Sequence, residues 1–154
     1  MLYDNQGRYE EAEPLYKKCL DVSTTKLGED HPHTLISMNN LGSLYKKQKR
    51  YEEAEPLLKK CLDMRATKLG EDHPDTLGSM GNLGALYNSQ GRYEEAEPLY
   101  KKCLDMFTVK LGEDHPDTLA SMNNLASLYN SQGRYEEAEP LYKKCLDMRA
   151  TKLG

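Results

Sequence analysis

One feature constrains this chain above all others: it repeats. The segment YEEAEPLYKKCLD begins at Tyr9, Tyr93 and Tyr135, the variant YEEAEPLLKKCLD begins at Tyr51, and successive starts lie 42 residues apart. Residues 71–112 and 113–154 superpose without a gap and agree at 35 of 42 positions. A 28-residue partial unit, 1–28, precedes three full ones, 29–70, 71–112 and 113–154. Units this short cannot bury an apolar face alone, so each must stack on its neighbours. The expectation is one continuous solenoid rather than an ordinary globular domain.

Each unit carries the helical period twice. From Pro32 to Gln48 the residues Leu35, Met38, Leu41, Gly42 and Tyr45 recur at steps of three and four, forming one apolar stripe. A break follows at Gly91 and Gly133, where Lys49 stands in the earlier unit. A turn between antiparallel helices needs such a break. The second helix is expected from Tyr51 to about Leu69, with Tyr51, Ala54, Leu57, Leu58, Cys61, Leu62 and Leu69 on its apolar face. Two glutamates in its first turn favour the helix dipole, and Lys59 and Lys60 follow them. Pro56 falls at the sixth position. It either delays the helix or kinks its first turns, and a bend rather than a break is expected.

Composition fits an array. Apolar residues make up 38% of the chain, charged residues 30%, and the net charge is −4 with acids and bases interleaved. A nucleic-acid binder would show a basic stripe, and a membrane span would need about 18 successive apolar residues; the sequence has neither. It also lacks a basic-then-apolar leader at its start. Cys19, Cys61, Cys103 and Cys145 occupy the same place in each unit. Stacked helices lie roughly 10 Å apart, whereas a disulfide needs Cα atoms within about 7 Å. Four free, buried thiols in a reducing compartment, the cytoplasm, are expected.

The order Met38, Leu41, Gly42, Tyr45, then Tyr51, Ala54, Leu58, Cys61, resembles the tetratricopeptide pattern of small and large residues on two antiparallel helices. The form NNLxxLYxxQGRYEEAEPLYKKxL…KLGEDHPDT, at 42 residues, is similar to the longer repeats of kinesin light chains and nephrocystin-3-like proteins. The resemblance covers essentially the whole chain. It implies an all-α, right-handed superhelical solenoid of antiparallel helix pairs, whose first helices line a concave groove that holds extended peptides.

Asparagine is a poor helix former, yet SMNNL occurs at 37–41 and again at 121–125, inside the first-helix pattern. At 100° per residue, the face opposite the apolar stripe carries Ile36, Asn40, Ser43 and Lys47 in one unit. The next unit puts Gly78, Asn82, Ala85 and Ser89 there, and the last Ala120, Asn124, Ser127 and Ser131. If first helices line the groove, this stripe is its floor, and Asn40, Asn82 and Asn124 form a ladder with rungs about 10 Å apart. An extended peptide advances roughly 3.3 Å per residue, so a rung would meet about every third residue. An Asn amide both donates and accepts, and can pair with a backbone carbonyl and a backbone N–H together. The related kinesin light chain repeats use matching asparagines in this way, as the resemblance implies. Asn39 and Asn123 sit at the rim, where Gly81 interrupts the row. The competing reading is structural: a repeated Asn caps local backbone or bridges to the adjacent helix.

GEDHP, starting at 28, 70 and 112, invites assignment as a metal site, since carboxylate and imidazole groups bind zinc and iron. One loop supplies only one His, however, and His31, His73 and His115 belong to successive units. A turn closing on Gly70, with Pro74 opening the helix and Asp75 and Thr76 supporting its start, accounts for the motif without a metal. His33 replaces the Asp of the other units. No Gly-rich phosphate loop or Ser elbow occurs, and Cys and His fall on different faces, so neither catalysis nor a cofactor is expected. Tyr3, Tyr45, Tyr87 and Tyr129 are expected in the core with bonded hydroxyls.

The leading function is therefore a scaffold that binds a protein or peptide partner. The alternative is a structural array that assembles end to end. Met1 aligns with Ser43, so the sequence opens inside a first helix, and the helix from Tyr135 has no solvating helix after it. Both ends are expected to expose apolar surface and to pack against other copies. Lys46 and Lys47 occur only in the first full unit, which disfavours a carboxylate clamp and points to peptide affinity of about micromolar strength.

Overall fold

The computed structural model describes residues 9–153, and of these the side chains of all but Arg149 and residues 151–153. The described residues form seven helices and no strand: α1 (Tyr9–Leu27), α2 (Pro32–Lys47), α3 (Tyr51–Leu69), α4 (Pro74–Ser89), α5 (Tyr93–Leu111), α6 (Pro116–Ser131) and α7 (Tyr135–Leu153). The end of a first helix expected within residues 1–8, with Tyr3, lies outside the described residues. Two compact units emerge, Met1–Asn82 and Leu83–Gly154, divided within α4.

In the first unit α2 packs against both α1 and α3. Leu35, Met38, Leu41, Gly42 and Tyr45 are all buried, as their spacing predicts. Leu44 is equally deep, with 1% of its surface exposed. A single apolar stripe does not reach it, and the arc is wider because α2 is covered from two sides. On α3, Ala54, Leu58 and Cys61 are buried. Leu69, placed on the apolar face by its spacing, is instead exposed, because it lies in the last turn beside the Gly70 cap. The backbone of α2 approaches α3 closely: a Cβ at Gly42 would come within 2.9 Å of the Leu58 side chain.

Pro14, Pro56, Pro98 and Pro140 lie inside α1, α3, α5 and α7, which are continuous helices. The proline neither delays the helix nor ends it. Pro56 is near the N-terminus, so the interior bond it forfeits is only the one to Glu52, early in the helix.

In the loops between units, the histidine rather than the aspartate or threonine caps the next helix. His31 is the N-cap of α2, its Nδ1 accepting the His33 N–H at 3.2 Å, with Pro32 as the first helical residue. His115 caps α6 in the same way through the Asp117 N–H at 3.2 Å. The buried Thr34 and Thr118 hydroxyls donate back to the carbonyls of Gly28 and Gly112, at 2.8 and 2.7 Å. The short turn inside each unit ends with a residue in the left-handed region: Gly91 and Gly133 at φ 73°, and Lys49 at φ 60°.

In the second unit α6 packs against α5 and α7. Tyr100, Cys103 and Phe107 of α5 are buried, as are Leu119, Met122, Leu125, Leu128 and Tyr129 of α6. Tyr129 meets the expectation of a buried ring with a satisfied hydroxyl, which donates to Glu97 at 3.3 Å.

Candidate functional site

The sequence points to the face of the first helices turned away from their apolar stripe. On α2 that face is open: Ile36 is 46% exposed, Lys47 is exposed, and Asn40 and Ser43 are half-buried. Lys46, beside it, is also half-buried, and burial together with the Lys47 charge lowers its pKa. On α6 the corresponding Ala120, Asn124, Ser127 and Ser131 are all exposed, and Asn123 is half-buried. On α4 Ser89 is exposed and Asn82 half-buried. Two of the serines satisfy themselves within their own helices: Ser89 Oγ donates to Ala85 O at 2.8 Å and Ser131 Oγ to Ser127 O at 2.9 Å. A hydroxyl bound back to the preceding turn is a weaker handle for a ligand than an amide.

The amides of Asn39 and Asn82 are brought together. Asn82 Nδ2 donates to Asn39 Oδ1 at 2.9 Å, tying α4 to α2 within the first unit. Asn39, expected at the rim, therefore has a bridging role, and Asn82 spends one of its two donor hydrogens on it. In the last repeat Asn123 and Asn124 recur, whereas the middle repeat has Gly81 in place of the first Asn.

An electrostatic device that the sequence motifs did not reveal lies at the turns. Arg50 holds Glu53 through two bonds of 2.6 and 2.7 Å, reaches Glu13 on α1 at 2.6 Å and Gln48 at 2.9 Å, and lies 4.3 Å over the Tyr45 ring. Arg134 repeats the arrangement with Glu137, with Glu97 at 2.7 Å, with Gln132 at 2.8 Å, and with Tyr129 at 4.1 Å. Glu97 and Glu13 are held at a pKa of about 2, chiefly by the arginine bond and secondarily by Lys101 or Lys17. The signal was present in the sequence as an Arg before each Tyr-Glu-Glu and a Glu 37 residues earlier.

The tetratricopeptide repeat model matches residues 1–67, 48–108 and 75–151, which together span nearly all of the sequence. The chain belongs to the tetratricopeptide repeat family. No curated protein matches it. Among solved structures it is similar to a point variant of a candidate kinesin light chain from Podosopora anserina with nearly identical TPR-like repeats. Identity is 28% over 98% of this chain and 71% of that one, with a TM-score of 0.82. It is likewise similar to BtubC (BKLC) from P. vanneervenii, at 26% identity over 99% of this chain and 61% of that one, with a TM-score of 0.85.

The fold class is thus that of the all-α, TPR-like solenoids, and the kinesin light chain-like character of the 42-residue repeat is borne out. Tetratricopeptide repeats are in general protein-interaction scaffolds. No described helix is long and apolar enough to cross a membrane. In this tetratricopeptide protein the GEDHP histidines use Nδ1 to cap the next helix, which gives the motif a structural task.

Proposed function

We propose that this chain is a non-catalytic scaffold that binds extended peptide segments of partner proteins along the polar stripes of its first helices. Asn40, Asn82 and Asn124 contact the peptide backbone, assisted by Asn39, Asn123, Ser43, Ser127, Ser89, Ser131 and Lys47. The observation that carries the reading is an exposed amide on a helix that gains nothing from it. Asn124 is exposed in mid-helix, where Asn is less favourable than Ala by several tenths of a kcal/mol. Ser127 one turn further on is exposed as well. The Asn39–Asn82 bond supports a preset orientation for one amide of the set and leaves the second Nδ2 hydrogen for a guest carbonyl.

Backbone recognition predicts breadth rather than a strict sequence motif. The stripes carry one cation, Lys47, among small polar residues, which favours neutral to mildly acidic segments and affinity near the micromolar range. The four free thiols fit a reducing compartment, the cytoplasm.

The test is a peptide library titrated against the chain and against the double variant Asn40→Leu, Asn124→Leu. Neither substitution removes a bond made by a buried group, so helicity and melting temperature should stay near those of the parent. Saturable binding lost in the variant supports the proposal. Equal binding by both proteins, or none by the parent, overturns it.

A further inference from the structure

We propose a second docking surface on α1, which receives an amphipathic helix opening with two acidic residues and carrying Leu and Met three positions apart. The proposal is independent of the polar stripes. It begins from a comparison of equivalent positions. On α3 the row Leu57, Cys61, Met64 is covered by Leu35 and Met38 of α2, and the Cys61 thiol points to the Leu35 carbonyl at 3.3 Å. On α7 the row Leu141, Cys145, Met148 is covered by Leu119 and Met122 of α6. The same register on α1 reads Leu15, Cys19, Val22, and here the surface is open: Leu15 is 52% and Val22 44% exposed, and Cys19 is exposed.

These residues line a hollow of about 490 Å³, with Ser37 of α2 at one side and Lys18 and Lys26 among its walls. Its lysines identify the occupant further. Lys60 and Lys68, the residues of α3 in the register of Lys18 and Lys26, bond Glu29 and Asp30 at 2.9 Å each, the two acids just ahead of α2. Lys144 of α7 bonds Glu113, ahead of α6, at 2.8 Å. The α1 surface thus has the apolar row and the paired cations that elsewhere receive a Glu-Asp turn and the helix after it. A partner polypeptide with that turn and helix meets both halves at once, the charges setting direction and register and the Leu and Met supplying burial.

The probe is a synthetic peptide spanning residues 113–131, EDHPDTLASMNNLASLYNS, added to the full chain. The readout is the alkylation rate of Cys19, followed by mass spectrometry. We expect saturable slowing of at least about ten-fold, absent with a peptide carrying Leu119→Asp and Met122→Asp. A peptide with Glu113→Lys and Asp114→Lys should bind more weakly, the difference shrinking at high salt. Leu15→Asp in the chain should abolish protection while leaving helicity unchanged. An unchanged rate, equal protection by the Asp-substituted peptide, or protection that rises with the concentration of the chain alone overturns the proposal; the last result would make a second copy the occupant. Asn40→Leu with Asn124→Leu should leave Cys19 protection intact, so failure of one site is distinguishable from failure of the other.

Discussion

Arg134 Nη1 lies 2.7 Å from a carboxylate oxygen of Glu97, a residue 37 positions earlier and on a different helix. The same arginine grips Glu137 in its own helix and covers the ring of Tyr129. One side chain therefore joins α5, α6 and α7, and Arg50 does the same for α1, α2 and α3. A planar guanidinium with five donors suits this task, and a lysine would not.

The clamp makes stability depend on acid. Glu97 and Glu13 have folded pKa values of about 2, below the value of 4.5 expected when the chain is open. A depressed carboxylate contributes its full stabilisation above the unfolded value, and that contribution is lost as pH falls from about 4.5 through 2. Melting temperatures should hold between pH 6 and 7 and fall steeply below pH 4. Glu97→Gln should lower the melting temperature at neutral pH and reduce the drop between pH 5 and 2.5. An unchanged pH profile in the variant would remove Glu97 from this role.

Lys49 offers a gain in stability. It sits at φ 60°, whereas Gly91 and Gly133 take the corresponding place in later repeats at φ 73°. A left-handed backbone costs a side-chain-bearing residue about 1 kcal/mol, partly offset by the greater freedom of glycine in the open chain. Lys49→Gly should therefore raise stability by up to about 1 kcal/mol in urea unfolding, with an unchanged slope. Loss of stability would mean that the lysine makes a contact that outweighs the strain.

Thiol chemistry should separate the four repeats. The sequence places all four cysteines alike and predicts four buried thiols, but only Cys61, Cys103 and Cys145 are buried. Cys19 is exposed because its row on α1 lacks the Leu and Met that lie over the others. Burial pushes the Cys103 thiol up to about 12 and raises that of Cys61, so neither offers much thiolate near neutral pH. Alkylation of the native chain at pH 8 should modify one thiol rapidly and three slowly, and all four should react in denaturant.

The helix pairs and much of the core were legible because a 42-residue period and a 3.6-residue period coincide in this sequence. Leu35, Met38, Leu41 and Tyr45 announce the buried face of α2 without any knowledge of its neighbours. Leu44 does not, since its burial depends on a second helix arriving from the other side. The histidine caps were hidden for a related reason. His is seldom the N-cap side chain, and the motif drew attention to its metal-binding chemistry instead of the two-residue reach from Nδ1 to a backbone N–H. The polar stripe was readable as a pattern, but the Asn39–Asn82 bond requires the spacing of α2 and α4, which composition does not give.

Three glycines of α4 provide the last test, because the same substitution should act with opposite signs. Gly78 and Gly81 have nothing within 4 Å of a Cβ placed on them. Replacing either by Ala restores helix propensity worth about 1 kcal/mol and adds no collision. Gly84 differs: its Cβ would lie 2.9 Å from Cε1 and 3.1 Å from Cδ1 of the Tyr100 ring, which is 2% exposed and has little room to move. Overpacking of this kind costs about 1–3 kcal/mol, which equals or exceeds the propensity gain. Gly78→Ala and Gly81→Ala should each raise the urea midpoint and slow amide exchange along α4, while Gly84→Ala should lower the midpoint. Ala126 holds the matching place in α6, opposite a half-buried Tyr142, so an alanine there is tolerated when the tyrosine can shift. A stabilising Gly84→Ala would show that Tyr100 has the same freedom, and that the close approach of α4 and α5 at this point is not what demands glycine.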